Sequence, residues 1–133
     1  MKRLSILVAC AIAFVACKKD EDQQELIYGR WYEFSQEYIE RDIEDGSISI
    51  DRDTFENSQD YLEFTRDGQV LSSTNRPGTF TITNDSLFIT IDYQDVTETL
   101  PLKYRISSNE LTVTQTSSRT YEVIEQSLTY RKK

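Results

Sequence analysis

The chain has 133 residues, with 15 Lys and Arg against 23 Asp and Glu, two Cys, no His and 38% apolar residues. This is enough material for one small domain and excludes a multidomain enzyme. The net charge of -8 disfavours partners with phosphate backbones, so nucleic-acid binding is not expected. The absence of His excludes nucleophile systems that depend on a histidine base.

The first sixteen residues have the pattern of a cleaved export signal. Lys2 and Arg3 form a positive start, and Leu4–Ala16 is an uncharged run of 13 residues. That run is shorter than the roughly 20 residues that span a bilayer. We therefore predict a signal peptide over residues 1–16. Its removal leaves 13 basic and 23 acidic side chains, a net charge of about -10.

A polar segment separates this signal from the rest of the chain. Residues 18–25 contain no apolar side chain and follow directly after Cys17. This composition is typical of a solvated, flexible tether. We therefore predict a tether over residues 17–25 and a folded domain over residues 26–133.

The folded domain has the composition of a β-protein. From Lys18 to Lys133 there is no Ala or Met, whereas 28 residues are Ile, Val or Thr and 14 are aromatic. Apolar and polar residues alternate in segments that are bounded by turn residues. These segments predict eight strands, at Arg30–Ile39, Tyr61–Thr65, Val70–Thr74, Thr79–Thr83, Leu87–Tyr93, Val96–Ile106, Leu111–Thr114 and Thr120–Arg131.

Short connections between most of these strands indicate an antiparallel meander. One face of each strand is polar, so the sheet buries one side, and eight such strands close naturally into a barrel without exposed edges. We therefore predict an all-β, eight-stranded antiparallel up-and-down barrel. A two-sheet sandwich is the main alternative, although its crossings need longer connections than most of those in this chain.

The long connection after the first predicted strand is acidic. Residues Glu40–Asp60 carry eight Asp and Glu against two Arg, and Asp45-Gly46 between Ile43 and Ile48 indicates a small hairpin. A loop of this length is usually a lid, a binding loop or a disordered segment. The EF-hand spacing is absent, and no pattern fixes two carboxylates across a cleft. We therefore predict no metal site, no cofactor and no catalytic residue.

The residues before the tether resemble a bacterial lipoprotein signal. The motif is Phe14-Val15-Ala16-Cys17. In such signals small residues precede a Cys that is lipidated and begins the mature chain. The resemblance implies a membrane anchor on Cys17, with Cys10 as a weaker alternative. Residues 17–22, Cys-Lys-Lys-Asp-Glu-Asp, resemble the export signal of Bacteroidota surface lipoproteins. This implies an outer-membrane protein at the cell surface, with the periplasmic face as the alternative.

The start of the first predicted strand resembles lipocalins, the calycin-type eight-stranded barrels. Gly29-Arg30-Trp31 matches their Gly-x-Trp signature. The resemblance implies that Trp31 lies at the closed end and that a basic residue of the last strand, here Arg131, covers it. The number of strands agrees with this pairing of Arg131 and Trp31, because each strand reverses the direction of the chain. The eighth strand therefore ends beside the start of the first, whereas a ninth barrel strand would end at the opposite rim. Alternation puts Trp31 and Tyr38 on opposite faces unless a bulge intervenes.

The same counting places residues 40–60, 75–78, 94–95 and 117–119 at one rim, where lipocalins have the mouth of their cup. An eight-stranded barrel is either filled by side chains or holds one small ligand, and the sequence leaves both open. A cup implies a small hydrophobic ligand bound without catalysis. A filled barrel implies a protein-interaction module of an envelope assembly, whose acidic loop docks a basic partner. The expected lining of a cup consists of the rim-side residues Tyr38, Ile48, Ile50, Phe55, Tyr61, Phe80, Tyr93, Val96 and Tyr121.

Overall fold

The structure, a computed structural model, describes residues 23–133. The predicted signal peptide and Cys17 lie outside these residues. Within 23–133, no helix is long and apolar enough to cross a membrane. A short helix α1 (23–26) precedes nine strands of one antiparallel sheet. The strands are β1 (Gly29–Asp42), β2 (Ile48–Thr54), β3 (Tyr61–Phe64), β4 (Gln69–Ser72), β5 (Gly78–Ile82), β6 (Ser86–Tyr93), β7 (Val96–Ile106), β8 (Glu110–Ser118) and β9 (Glu122–Arg131).

Eight of these strands close into a barrel, which confirms the predicted fold class. β1 pairs with β3, each strand from β3 to β8 pairs with the next, and β9 pairs with β1. The closing ladder runs from Tyr32 opposite Arg131 to Asp42 opposite Glu122. This ladder gives hydrogen-bond partners to backbone groups that would stay unpaired at the two edges of an open sheet.

β2 is an additional strand that stands outside the ring. It pairs with the upper part of β1, Ser35–Arg41, whereas β3 pairs with the lower part, Gly29–Tyr32. The hairpin expected around Asp45-Gly46 is therefore present and extends one wall upward. Asp42 Oδ1 accepts the backbone N–H of Glu44 at 2.7 Å, which holds the turn. Because β2 is not one of the strands that form the ring, the ring has eight strands and β9 still ends beside the start of β1.

A β-bulge in β1 resolves the conflict in its alternation. β1 pairs with β9 at Glu33 and again at Ser35, which leaves Phe34 without a partner in that ladder. The extra residue shifts the alternation by one position. Trp31 and Glu33 before the bulge and Tyr38 after it therefore share the inner face of the barrel.

The hydrophobic core fills the closed end of the barrel, where the turns 65–68, 83–85 and 107–109 lie. Fully burying a large apolar side chain contributes about 1.5–3 kcal/mol, so this cluster is the main source of stability. The opposite rim carries residues 43–47, 73–77, 94–95 and 119–121, close to the predicted positions. The largest fully buried side chains are Trp31, Phe64, Ile27, Leu87 and Leu111.

The basic residue that covers Trp31 is Lys132. Its Nζ lies 4.4 Å from the centroid of the Trp31 ring and donates hydrogen bonds to the carbonyls of Leu26 and Tyr28 at 3.2 Å each. Residues 23–25, predicted as the end of the tether, belong to α1. α1 and the residues after it therefore close the bottom of the barrel together with the end of the chain.

The prediction that Arg131 covers Trp31 was wrong by one residue. Arg131 pairs with Tyr32 on the outer face, and its guanidinium carbon lies 3.4 Å from the centroid of the Phe34 ring. Alternation along β9 directs Arg131 outward, so the next residue, Lys132, is the one that reaches beneath the barrel.

Candidate functional site

A cavity of about 460 Å³ occupies the barrel above the core. This volume lies within the roughly 300–1,000 Å³ of small-molecule sites. The bulky aromatic side chains lie at the closed end, whereas the cavity walls are built from smaller aliphatic groups. The apolar part of the lining consists of Leu62, Val70, Ile89, Ile91, Leu100, Leu102, Val113 and Leu128, with Tyr130 at the base.

One side of the cavity has a low wall, because β3 and β4 have only four residues each. Polar lining residues concentrate on this side. Glu33 on β1 and Asp60 before β3 both line this side. The backbone N–H of Glu33 donates to the Asp60 carbonyl at 2.9 Å, and Ser73 Oγ donates to Asp60 Oδ1 at 2.9 Å. These bonds hold the two acidic residues next to each other.

The surroundings of Glu33 disfavour its charged form. Desolvation raises its pKa above the ordinary value of 4.5, and the charge of Asp60 raises it further. Burial likewise raises the pKa of the Tyr130 hydroxyl, with smaller contributions from Glu33 and Asp60. Within residues 23–133, neither carboxylate forms an ion pair. Negative charge in this part of the cavity is therefore uncompensated by a close cation.

Arg76 is the basic residue of the lining, in the turn between β4 and β5. Its guanidinium carbon lies 4.6 Å from the centroid of the Tyr93 ring, a cation–π contact at the rim. In the described part of the chain, no group of three or more Asp, Glu, Cys or His residues is arranged to hold a metal ion. The cavity therefore offers apolar walls, a pair of carboxylates and a few hydroxyl and amide groups.

The predicted lining residues lie mostly outside the cavity. Tyr61 borders it, but its ring packs against Arg30, whose guanidinium carbon is 4.2 Å from the ring centroid. Phe80 belongs to the core, with its ring centroid 4.9 Å from that of Phe64. β5 has only five residues, so Phe80, its third residue, already lies at the level of the core. The seven residues that do not line the cavity or the core are Tyr38, Ile48, Ile50, Phe55, Tyr93, Val96 and Tyr121.

The direction of the β1–β2 hairpin explains the misplacement of its residues. A lid over the mouth would bury Ile48 and Ile50, whereas in the structure they are 54% and 51% exposed. β2 lies beside the upper part of β1, Ser35–Arg41, and so extends the wall above β3, which pairs with Gly29–Tyr32. Residues 40–60, interpreted from the sequence as a lid, therefore extend the wall of the barrel instead.

Sequence reasoning missed Glu33 and Asp60. Glu33 stands two residues after Trp31, so in a regular strand both side chains share a face. Placing Trp31 inside therefore also places Glu33 inside, and this signal was present in the sequence. Asp60 gave no comparable signal, because it lies in an irregular segment whose position depends on its contacts with Glu33 and Ser73.

A wider groove of about 800 Å³ crosses the outer face of β1 and β7–β9. Its floor includes pairs of hydroxyl side chains that bond to each other, Thr112 with Thr129 at 3.2 Å and Thr114 with Ser127 at 2.8 Å. These groups satisfy one another, and the groove lacks the aliphatic walls of the inner cavity. The inner cavity is therefore the stronger candidate for a binding site.

No known protein family, curated protein or solved structure matches this chain. The lipocalin and lipoprotein resemblances therefore stay predictions.

Proposed function

We propose that the protein is a lipid-anchored, lipocalin-like barrel of the cell envelope that binds a small hydrophobic ligand without catalysis. The observation that carries the binding role is the cavity of about 460 Å³ with mainly aliphatic walls. An eight-stranded interior is either filled or holds one small ligand. Here Trp31, Phe64 and Phe80 all lie in the closed-end core, and smaller residues surround the space above them.

The anchoring role rests on Cys17 and its lipoprotein-like context. Gln23 is only six residues further along the chain, a reach of about 20 Å at full extension. The segment after Gln23 packs at the closed end, through the bonds of Lys132 to Leu26 and Tyr28. An anchor on Cys17 would therefore keep the closed end near the membrane and the cavity accessible from the other side. The proposed site is the outer membrane, at the cell surface first and at the periplasmic face second.

Cell fractionation tests the anchor. Cys17→Ala should move the protein from the membrane to the soluble fraction, because it removes the residue that would carry the acyl chains. Two or more such chains are needed for durable attachment. Cys10→Ala is the matched control and should leave the protein on the membrane. Retention of the Cys17→Ala protein after detergent-free washing would contradict lipidation at this residue. Protease treatment of intact cells separates the surface location, where the barrel is digested, from the periplasmic one.

Binding of N-phenyl-1-naphthylamine, an uncharged apolar fluorophore, tests the cavity. We expect saturable binding with one molecule per chain. Leu100→Trp places a bulky ring in the cavity and should abolish this binding. Leu71→Trp is the matched control, because Leu71 is absent from the lining and is 37% exposed. Absence of saturable binding, or equal binding by both variants in their folded state, would contradict a ligand cavity.

A second candidate function is a protein-interaction module, which the exposed apolar residues of the rim favour. Six of the seven exposed large hydrophobic residues described lie at the mouth end of the barrel. Ile43, Ile48 and Ile50 belong to the acidic hairpin, and the Tyr121 carbonyl accepts the backbone N–H of Ile43, whereas Tyr93 and Val96 flank the β6–β7 turn. Single exposed apolar residues are common, but a cluster indicates a contact surface. A photo-crosslinking residue at position 50 should then give one defined protein adduct in cells, and position 71 should give none. Equal labelling from both positions would contradict this role.

A further inference from the structure

We infer that the ligand of the cavity is a cationic amphiphile, with an apolar body against the aliphatic walls and an ammonium group bound by Glu33 and Asp60. The inference rests on the proposed ligand-binding function of the same cavity and adds the chemical class of the ligand. Two independent features support it: the apolar volume and the unpaired acidic groups on one of its walls.

The first feature is the apolar volume itself. Leu, Ile and Val side chains from β3, β4 and β6–β9 form the apolar part of the wall. A small, fully hydrated cation would leave these groups in contact with water. Burial of an apolar chain of matching size releases that water, which is the dominant favourable contribution to binding at such sites.

The second feature is the unused hydrogen-bonding capacity of the carboxylates. An ionised carboxylate has about four acceptor positions. Within residues 23–133, the Glu33 carboxylate accepts no hydrogen bond from a protein donor, and Asp60 accepts one, from Ser73 Oγ at 2.9 Å. The remaining acceptor positions require water or a donor on the ligand. A purely apolar ligand would remove the water without replacing it, which is unfavourable.

The charges around Glu33 favour a cation over an anion. Besides Glu33, the charged residues that line the cavity are Asp60 and Arg76, and burial raises the pKa of the Tyr130 hydroxyl, which keeps it neutral. Desolvation, the larger cause of the raised pKa of Glu33, disfavours either charge, whereas the second cause, the charge of Asp60, disfavours a further negative group in particular. The Arg76 guanidinium is already in contact with the Tyr93 ring at 4.6 Å. An anionic headgroup would therefore meet two carboxylates and one cation that is already engaged.

Three probes of equal chain length test the charge of the ligand: n-octylamine, n-octanol and n-octanoate. Their affinities for the full chain would be measured by isothermal titration calorimetry at pH 7. We expect n-octylamine to bind about 10-fold or more tightly than n-octanol, as one charge-assisted hydrogen bond requires, and n-octanoate to bind most weakly. Equal or tighter binding of n-octanol or n-octanoate would overturn the inference.

Variants assign the effect to the carboxylates. Glu33→Gln should lower the affinity for n-octylamine about 10-fold and should not lower that for n-octanol. Asp60→Asn should act in the same direction. Glu44→Gln removes the same charge from an exposed turn residue outside the cavity and should change neither affinity. If Glu33→Gln and Asp60→Asn both leave n-octylamine binding unchanged, the inference is wrong.

The outcomes separate this inference from the proposed function. If N-phenyl-1-naphthylamine binds but n-octylamine does not, the cavity binds ligands and the cationic class is wrong. If neither the fluorophore nor any of the three probes binds, the ligand-binding function itself fails.

Discussion

The ammonium group of Lys132 lies 4.4 Å from the centroid of the Trp31 ring, directly below the barrel core. The same group donates to the carbonyls of Leu26 and Tyr28, while Trp31 Nε1 donates to the carbonyl of Ile27 at 2.7 Å. The two ends of the described chain are therefore joined at one point. Because Ile27 and Trp31 are both fully buried, this point closes the bottom of the barrel.

Lys132→Met should lower the free energy of unfolding by about 1–3 kcal/mol. It keeps an apolar chain near Trp31 but removes the cation–π contact and two hydrogen bonds from a charged donor. Arg131→Met is the control, because it removes a cation–π contact with the Phe34 ring and an ion pair with Glu110 in which both residues are more than 40% exposed. An exposed pair of this kind contributes about 0–1 kcal/mol. Urea unfolding measures both, and a larger loss for Arg131→Met would argue against Lys132 as the covering residue.

Trp31→Ala should lower the free energy of unfolding by about 3–5 kcal/mol, because it opens a cavity in the closed-end core. It also removes the donor to the Ile27 carbonyl. Tyr121→Ala serves as the control and should change stability by about 0.5 kcal/mol or less, since Tyr121 is 61% exposed. Chemical denaturation followed by circular dichroism measures both. A loss below about 1 kcal/mol for Trp31→Ala would show that the indole is not part of the core.

Glu33→Gln should raise the melting temperature at pH 7. The folded-state pKa of Glu33 is raised, so the folded protein binds more protons than the unfolded one between pH 4.5 and that raised pKa. The contribution of this group to stability is therefore fully present below pH 4.5 and is lost as the pH rises through the folded pKa. The advantage of the variant should shrink as the pH falls from 7 towards 4.5.

Differential scanning fluorimetry at several pH values checks this trend. Glu44→Gln is the control and should show no advantage that depends on pH in this way. An advantage of Glu33→Gln that grows on acidification would contradict the assignment. A stable variant with weakened n-octylamine binding would also show that the loss of binding is not caused by unfolding.

Gly78→Ala should destabilise the barrel by about 1–3 kcal/mol. A Cβ at this position would lie 2.6 Å from the carbonyl oxygen of Thr90 and 3.1 Å from Val70 Cγ1. The first contact is with backbone, so β5 and β6 would have to move apart. Thr79→Ala, on the exposed face of the same strand, is the control. Thermal unfolding compares the two, and equal stability would mean that the strands can separate at little cost.

Local patterns were sufficient for the strands of the barrel and the hairpin at Asp45-Gly46, because alternation and turn residues operate over a few residues along the chain. The position of Trp31 at the closed end was implied by the resemblance of Gly29-Arg30-Trp31 to the lipocalin signature. The site was harder to predict. Glu33 could be recognised from its spacing to Trp31, whereas the expected rim residues Ile48 and Ile50 are exposed on the β1–β2 hairpin and do not line the cavity.

The sequence by itself determined that the protein forms a closed antiparallel barrel, because strand propensity and the face of each side chain are local properties. Only the tertiary structure decided how high each residue stands in the wall, whether side chains fill the interior and which cation covers Trp31. These features depend on the bulge at Phe34, on the short lengths of β3–β5 and on the register of β9 against β1. Register and strand length are set by pairing between distant segments, and a shift of one residue moves a side chain to the other face.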